Sequence, residues 1–277
     1  MNKMQQNILL KSLKSSFSAI KSHILLSFIL LILEIGFVVS LGIVIVPSSV
    51  NIMVNAQDIL NYAESLNLDE SSLGSNLKEM PNALGDDPLF IYRKFKEMIS
   101  QIIFTLIVSS AIILVFSTIN WSLTHQLFEK FDAKEFFRKL WKSFLANLLF
   151  IGISILFIIV FFQQFYLDLV EKAGFFIGLA IFVLALIFYF MIVCLGLVHL
   201  KLSGMIKGLF SVGTKKAYYL VPAFILNILV MSGFWLLSYV LQEKNYFLLM
   251  GMIILSFVWI VLSRVFWIGM CRELPQN

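Results

Sequence analysis

An all-α, polytopic transmembrane bundle is the fold class this sequence predicts, and three observations predict it. The 277 residues are 60% hydrophobic and only 13% charged, where a soluble domain carries about 25% charged residues. The apolar residues come in unbroken runs of about 20, long enough to cross a hydrocarbon core of about 30 Å at 1.5 Å per residue. They do not alternate in ten-residue pieces, as the strands of a membrane barrel do. Lys and Arg gather on alternate loops, the bias that orients helices in a bilayer. Six spans follow, at about 24–46, 101–121, 144–165, 174–199, 219–241 and 247–269.

The N-terminal segment 1–23 reads as a cytoplasmic amphipathic helix. Leu9, Leu10, Leu13, Phe17 and Ile20 share one helical face, with Lys11, Lys14 and Ser residues elsewhere. Such a helix lies in the membrane interface, apolar face in the acyl boundary and cations at anionic headgroups. A docking site for a cytoplasmic protein is the sharper alternative. The first span reads as an uncleaved anchor, since its apolar stretch is too long for a signal-peptide core. It contains one acid, Glu34, in LLILEIGFVV.

Residues 47–100 have ordinary soluble composition. Ile52, Ala56, Ile59, Ala63 and Leu66 form a helical stripe. Gly74, Pro81 and Gly85 then mark turns. Asp87 and Pro88 read as a helix start, and a helix from 88 to 121 would reach beyond the bilayer. Its Phe90, Phe95 and Met98 are expected to meet the stripe of the preceding helix. The expectation is a small helical cap on the extracytoplasmic face, either a cover for the bundle or a gating or binding element.

The cytoplasmic loops carry two further basic segments. In 127–141, Phe128, Phe131, Phe137 and Trp141 mix with Lys139 and its neighbours, and Lys142 opens the next span. In 200–218, Lys215 and Lys216 play the same part. Lys11, Lys14, Lys21, Lys139, Lys142, Lys215 and Lys216 are the expected interfacial, lipid-facing cations. The N-terminal segment, the loops 122–143 and 200–218, and Arg272 hold 14 Lys and Arg, against 6 on the opposite set, where 47–100 also holds eight acids. Both termini are therefore expected in the cytoplasm, with a tail at 271–277. This insertion bias also explains the net charge of +5 without nucleic acid as a partner.

KSHILLSFILLIL from Lys21, KSFLANLLFIGIS from Lys142 and KAYYLVPAFILNI from Lys216 align, each a lysine followed at once by a span. Three copies of an amphipathic helix plus a hairpin account for this, the first copy enlarged by 47–100. Convergence on positive-inside hairpins accounts for it equally. The arrangement resembles uncharacterised archaeal and bacterial six-span membrane proteins, including the membrane domains beside glycerophosphodiester phosphodiesterases. The resemblance implies fold and topology only, and it carries no catalytic residues.

A charge at membrane depth is costly, so it needs company. Glu34 lies about ten residues inside its span, and Arg264 about six residues from the inner end of the last one. They would meet if the first and last spans are neighbours, as an intramembrane ion pair. Arg264 snorkelling alone to phosphates, or Glu34 lining a proton or cation path, are the competing readings. Asn147 and Asn227 are expected to hydrogen-bond between helices. His125 and Glu129, four residues apart, read as solvated on an interfacial helix, and His199 as a headgroup neighbour. Asn120, Gln163 and Gln164 complete the polar set. Cys194 and Cys271 read as free thiols.

Enzyme chemistry has no visible carrier. There is no HExxH, GxSxG, phosphate loop or GxGxxG, and no cofactor is expected. The expected function is a non-enzymatic assembly, scaffold or regulatory component of a prokaryotic cytoplasmic membrane. Its partners would be the lipid bilayer and its anionic headgroups, with a protein partner or a second copy also in view. The alternative is a small-solute or ion permease that uses Glu34 as a coupling site.

Overall fold

The structure is a computed structural model. It describes residues 3–65, 87, 89–165, 173–243 and 246–274, with side chains for 10–65, 87, 89–161, 174–243 and 246–274. Leu66 of the expected stripe, the turns expected at 68–86, Pro88, and the side chains of Leu9, Gln163 and Gln164 lie outside the described residues.

Among the described residues there are eight α-helices and no strands. They are α1 (Lys3–Ser22), α2 (Ile24–Ser65), α3 (Phe90–Gln126), α4 (Ala133–Phe165), α5 (Ala173–Gly196), α6 (Leu202–Phe210), α7 (Ala217–Leu241) and α8 (Tyr246–Glu273). A π-helical turn at Ser211–Lys215 joins α6 to α7. Six of them (α2, α3, α4, α5, α7 and α8) are long and apolar enough to span a membrane. In their most apolar stretches only 6% to 22% of the residues are buried inside the protein. So much exposed hydrocarbon is stable only in apolar surroundings. The chain is a multi-pass membrane protein.

Several boundaries differ from the sequence expectation. α2 does not stop near residue 46 but continues through Pro47 to Ser65, 42 residues in all. Proline removes one backbone donor and crowds the preceding turn, but the strong helical pattern on both sides carries the helix through. The segment 127–141 is not a separate interfacial helix. Residues 127–132 form a short connection, then α4 runs unbroken from Ala133 into its span. Asp132 starts it, its carboxylate accepting from the Lys134 N–H at 3.0 Å. No breaker follows to separate an interfacial piece. α5 ends at Gly196 and not at 199.

The chain divides into two compact units, Met1–Gly36 with Leu114–Asn277, and Phe37–Ile113. In the larger unit, α4 and α5 form an antiparallel hairpin, with Phe161 against Phe176 near one end and Lys142 on the Val198 carbonyl near the other. α7 and α8 form a second, with Asn227 on Trp259 and Phe224 against Trp267. The main core gathers the ends of α3, α5 and α8: Trp121, Tyr189, Val193, Leu197, Trp267 and Met270 are among its members. Gly196 is required there, because a Cβ would come within 2.7 Å of the Cys271 sulfur. α1 packs along the last turns of α8.

The smaller unit is the C-terminal length of α2 against the first half of α3. Ser48 meets Gln101 at 2.9 Å, Asn55 meets Lys94 at 3.2 Å, and the Tyr62 hydroxyl donates to the Asp87 carbonyl at 2.9 Å. Each rung is seven residues further along α2 and seven residues back in the chain, from Gln101 and Lys94 of α3 to Asp87 just before it. Seven residues are nearly two turns, so the rungs stay on one seam. Lys94 also pairs with Asp58 at 2.9 Å. Phe90 stacks on Tyr62, ring centroids 4.6 Å apart. Phe95, expected on this seam, points outward, because the seam runs through 90, 94, 98 and 101 and leaves 95 on another face.

Candidate functional site

α2 enters its span with Ile, Leu and Phe broken only by Ser27, and ten residues on it presents Glu34. Glu34 is 2% exposed. Arg264 of α8 forms an ion pair with its Oε1. Asn120 of α3 donates its Nδ2–H to the same oxygen at 3.0 Å. The Arg264 guanidinium lies 5.8 Å from the Trp121 ring centre, within cation–π range. An apolar cluster of Ala19, Leu30, Leu127, Val261 and Val265 adjoins the pair. Leu30 is one turn before Glu34, and Val261 and Val265 flank Arg264, so the helical period that presents each charge also presents its apolar neighbours.

The structure thus brings Glu34 and Arg264 together and adds Asn120, which the sequence offered only as one polar residue among several. Three helices converge on one carboxylate. Two donors compensate the desolvation of its charged form. The arrangement suits a fixed carboxylate that ties helices together.

Asn147 and Asn227 both bridge helices. Asn147 is fully buried. It accepts from Ser117 at 3.1 Å and donates to Thr118 at 3.2 Å, joining α4 to α3. Asn227 accepts from the Trp259 indole N–H at 2.9 Å, joining α7 to α8.

A second cluster lies where the connection 127–132 meets α4 and α8. Glu129 pairs with both Lys139 and Arg272, the latter at 2.5 Å. Arg272 also sits over the Phe128 ring at 5.0 Å. Burial alone would raise the Glu129 carboxyl, but hydrogen bonds from Lys139 and Arg272 outweigh it and hold the group below its ordinary 4.5.

Here two expectations are corrected. Lys139 is 2% exposed and Lys142 9% exposed, so neither faces lipid. Lys142 donates to the carbonyls of Val198, at 3.2 Å, and Leu200. Once α4 starts at Ala133, both lysines share its packed face with Ser143, Ala146 and Asn147. The carbonyls at and beyond the end of α5 lack helical partners and attract cations. Of the other expected interfacial cations, Lys11, Lys14, Lys21 and Lys215 are exposed and Lys216 is half-buried. Lys11 pairs with Glu273 at 2.6 Å.

The two histidines are also placed differently. His125 is fully buried and not solvated. Its Nε2 lies 2.8 Å from the Leu195 carbonyl, which makes it the protonated nitrogen. His199 is half-buried and packs against it, ring centroids 6.0 Å apart. Burial pushes the His199 imidazole down to about 4, with the Arg272 charge acting the same way; it is neutral at physiological pH. Both histidines sit at the end of an apolar run, and only a tertiary contact separates a buried ring there from a wet one. Among the described residues, no group of three His, Cys, Asp or Glu side chains is placed to hold a metal ion.

Compared with protein-family models, with curated proteins and with solved structures, the chain gives no significant match.

Proposed function

We propose that this protein is a non-enzymatic assembly, scaffold or regulatory component of a prokaryotic cytoplasmic membrane, with both termini in the cytoplasm. One observation carries the reading: the Glu34 carboxylate is engaged by Arg264 and by Asn120 from two other helices. A coupling site must load and release a proton or cation. A carboxylate held by a guanidinium and an amide is stabilised in its charged form, which opposes that cycle. Asn147 is engaged with another helix in the same way, Lys142 with the connection after α5, and Glu129 with Lys139 of α4. The sidedness rests on the distribution of Lys and Arg. The resemblance to six-span prokaryotic membrane domains bears on fold and threading alone.

The permease reading makes an opposite prediction, and proteoliposomes decide between them. With the purified chain reconstituted at known density, an imposed proton or sodium gradient is expected to decay at the rate of protein-free vesicles. A decay that the protein accelerates and that Glu34→Gln abolishes would replace the scaffold reading with transport.

A further inference from the structure

We propose that α1 is a membrane-surface helix seated inside out on α8, and that an anionic lipid leaflet completes its seat. On a soluble protein an amphipathic helix turns its apolar stripe to the core. Here the protein-facing residues are Ser12, Ser16 and Ala19, all buried. The Ser16 hydroxyl bonds to the Ser12 carbonyl at 2.7 Å and lies 3.4 Å from the Val265 carbonyl. A Cβ on Gly269 would come within 2.9 Å of that hydroxyl. From Lys11 on Glu273 to Ser16 on Val265, the contacts move back along α8 as they move forward along α1. The helices are antiparallel and meet through small residues.

Of the large apolar residues, Leu10, Leu13 and Phe17 face away, while Ile20 is partly buried against the Leu30, Val261 and Val265 cluster. Leu10 is 65% and Phe17 58% exposed, with Leu13 between them on the same stripe. The stripe leads into exposed Ile24, Leu25 and Phe28 at the start of α2, a helix of membrane-spanning character. α6 repeats the device. Met205 and Gly208 are buried, while Leu202, Ile206 and Phe210 are exposed.

Charge selects the occupant. Segments 10–22 and 201–216 contain no acid, and beside the two stripes Lys14, Lys21, Lys201, Lys207 and Lys215 are exposed. A second copy apposed through this surface would bring the same cations face to face. A leaflet with anionic headgroups accepts both the stripe and the lysines, at about 1 kcal/mol for each cation, or about fivefold in occupancy per lysine. The seat itself offers small-residue contacts, the packing of Ala19 and Ile20 on Val261 and Val265, and the ion pair of Lys11 with Glu273, and the outer contact adds to these.

The test uses the full-length chain in nanodiscs of phosphatidylcholine alone or mixed with phosphatidylglycerol. Cys194 and Cys271 are buried, so a nitroxide label goes to a cysteine introduced by Leu13→Cys, Phe17→Cys or Lys14→Cys. In the mixed lipid, labels at 13 and 17 are expected to relax more with oxygen than with a water-soluble nickel chelate, and the label at 14 the reverse. Amide exchange of residues 12–20 in the unmodified chain is expected to be about 25-fold faster in pure phosphatidylcholine, fivefold for each of Lys14 and Lys21. Nickel access at 13 and 17 in both lipids overturns the proposal. So does shielding from both reagents, which would place protein over the stripe. Equal exchange in the two lipids removes the anionic requirement and overturns it as well. None of these outcomes depends on whether the protein carries flux.

Discussion

Replacing Glu34 by Gln leaves Arg264 charged and nearly buried, with its counter-ion gone. Removing one partner of such a pair costs about 3 kcal/mol. Glu34→Gln and Arg264→Gln should each destabilise by roughly that amount in detergent unfolding, and the double variant should cost at least about 1 kcal/mol less than their sum. Additive costs would mean that the two charges do not interact. Glu129 gives a pH signature. Its carboxyl is held below 4.5 in the folded chain, so the stability it contributes is present above that value and is lost as pH falls through the lowered one. The melting temperature should therefore drop on the acid side, and Glu129→Gln should flatten that part of the profile. A drop of unchanged size in the variant would assign it to other acids. Gly196→Ala forces a methyl toward the Cys271 sulfur and should cost about 1–3 kcal/mol. Gly251→Ala, where no atom lies within 4 Å, should be neutral or stabilising by up to about 1 kcal/mol.

At the scale of elements, the C-terminal half of α2 and the N-terminal half of α3 are joined by polar rungs at heptad spacing. A membrane helix pair buries no extra hydrocarbon by associating in lipid, so it depends on packing and hydrogen bonds. Where a pair continues beyond the acyl region, polar rungs remain compatible with water. Tyr62→Phe deletes the hydroxyl bond to the Asp87 carbonyl and should cost about 1 kcal/mol. The loss should appear as faster amide exchange at the start of α3 with α5 and α8 unchanged, because the rung belongs to its own unit. Uniformly faster exchange would show that the hairpin is not a separate cooperative segment. The helical stripe Ile52–Ala56–Ile59–Ala63 was legible in the sequence because its period is local. The outward turn of Phe95 was not, because the seam is fixed by Ser48, Asn55 and Tyr62 on the other helix.

At the scale of the whole molecule, the six apolar helices place most of their large side chains outside. The purified chain should therefore aggregate when detergent or lipid is withdrawn. Light scattering on dilution below the micelle concentration measures this, and a monodisperse chain in plain buffer would contradict the membrane reading. Polar side chains instead collect at one end of the larger unit, in Asn120, Thr124, His125, Gln126, Ser143 and Asn147. Their neighbours there include both clusters of paired charge.

The sequence by itself determined the class and the number of apolar helices and marked Glu34 and Arg264 as charges within apolar runs, because run length and position within a run are properties of neighbouring residues. It also brought Asn147 and Asn227 forward, since an amide inside an apolar run needs a partner in another helix. Only the tertiary structure decided which helices those partners come from. It added Asn120 to the ion pair, turned Lys139 and Lys142 inward onto Glu129 and the carbonyls beside α5, and seated α1 by its serines. Local sequence marks a lysine as charged and a helix as amphipathic. Whether that lysine meets a phosphate or a carbonyl, and which face of the helix meets protein, depends on groups more than fifty residues away and on the solvent at the remaining face.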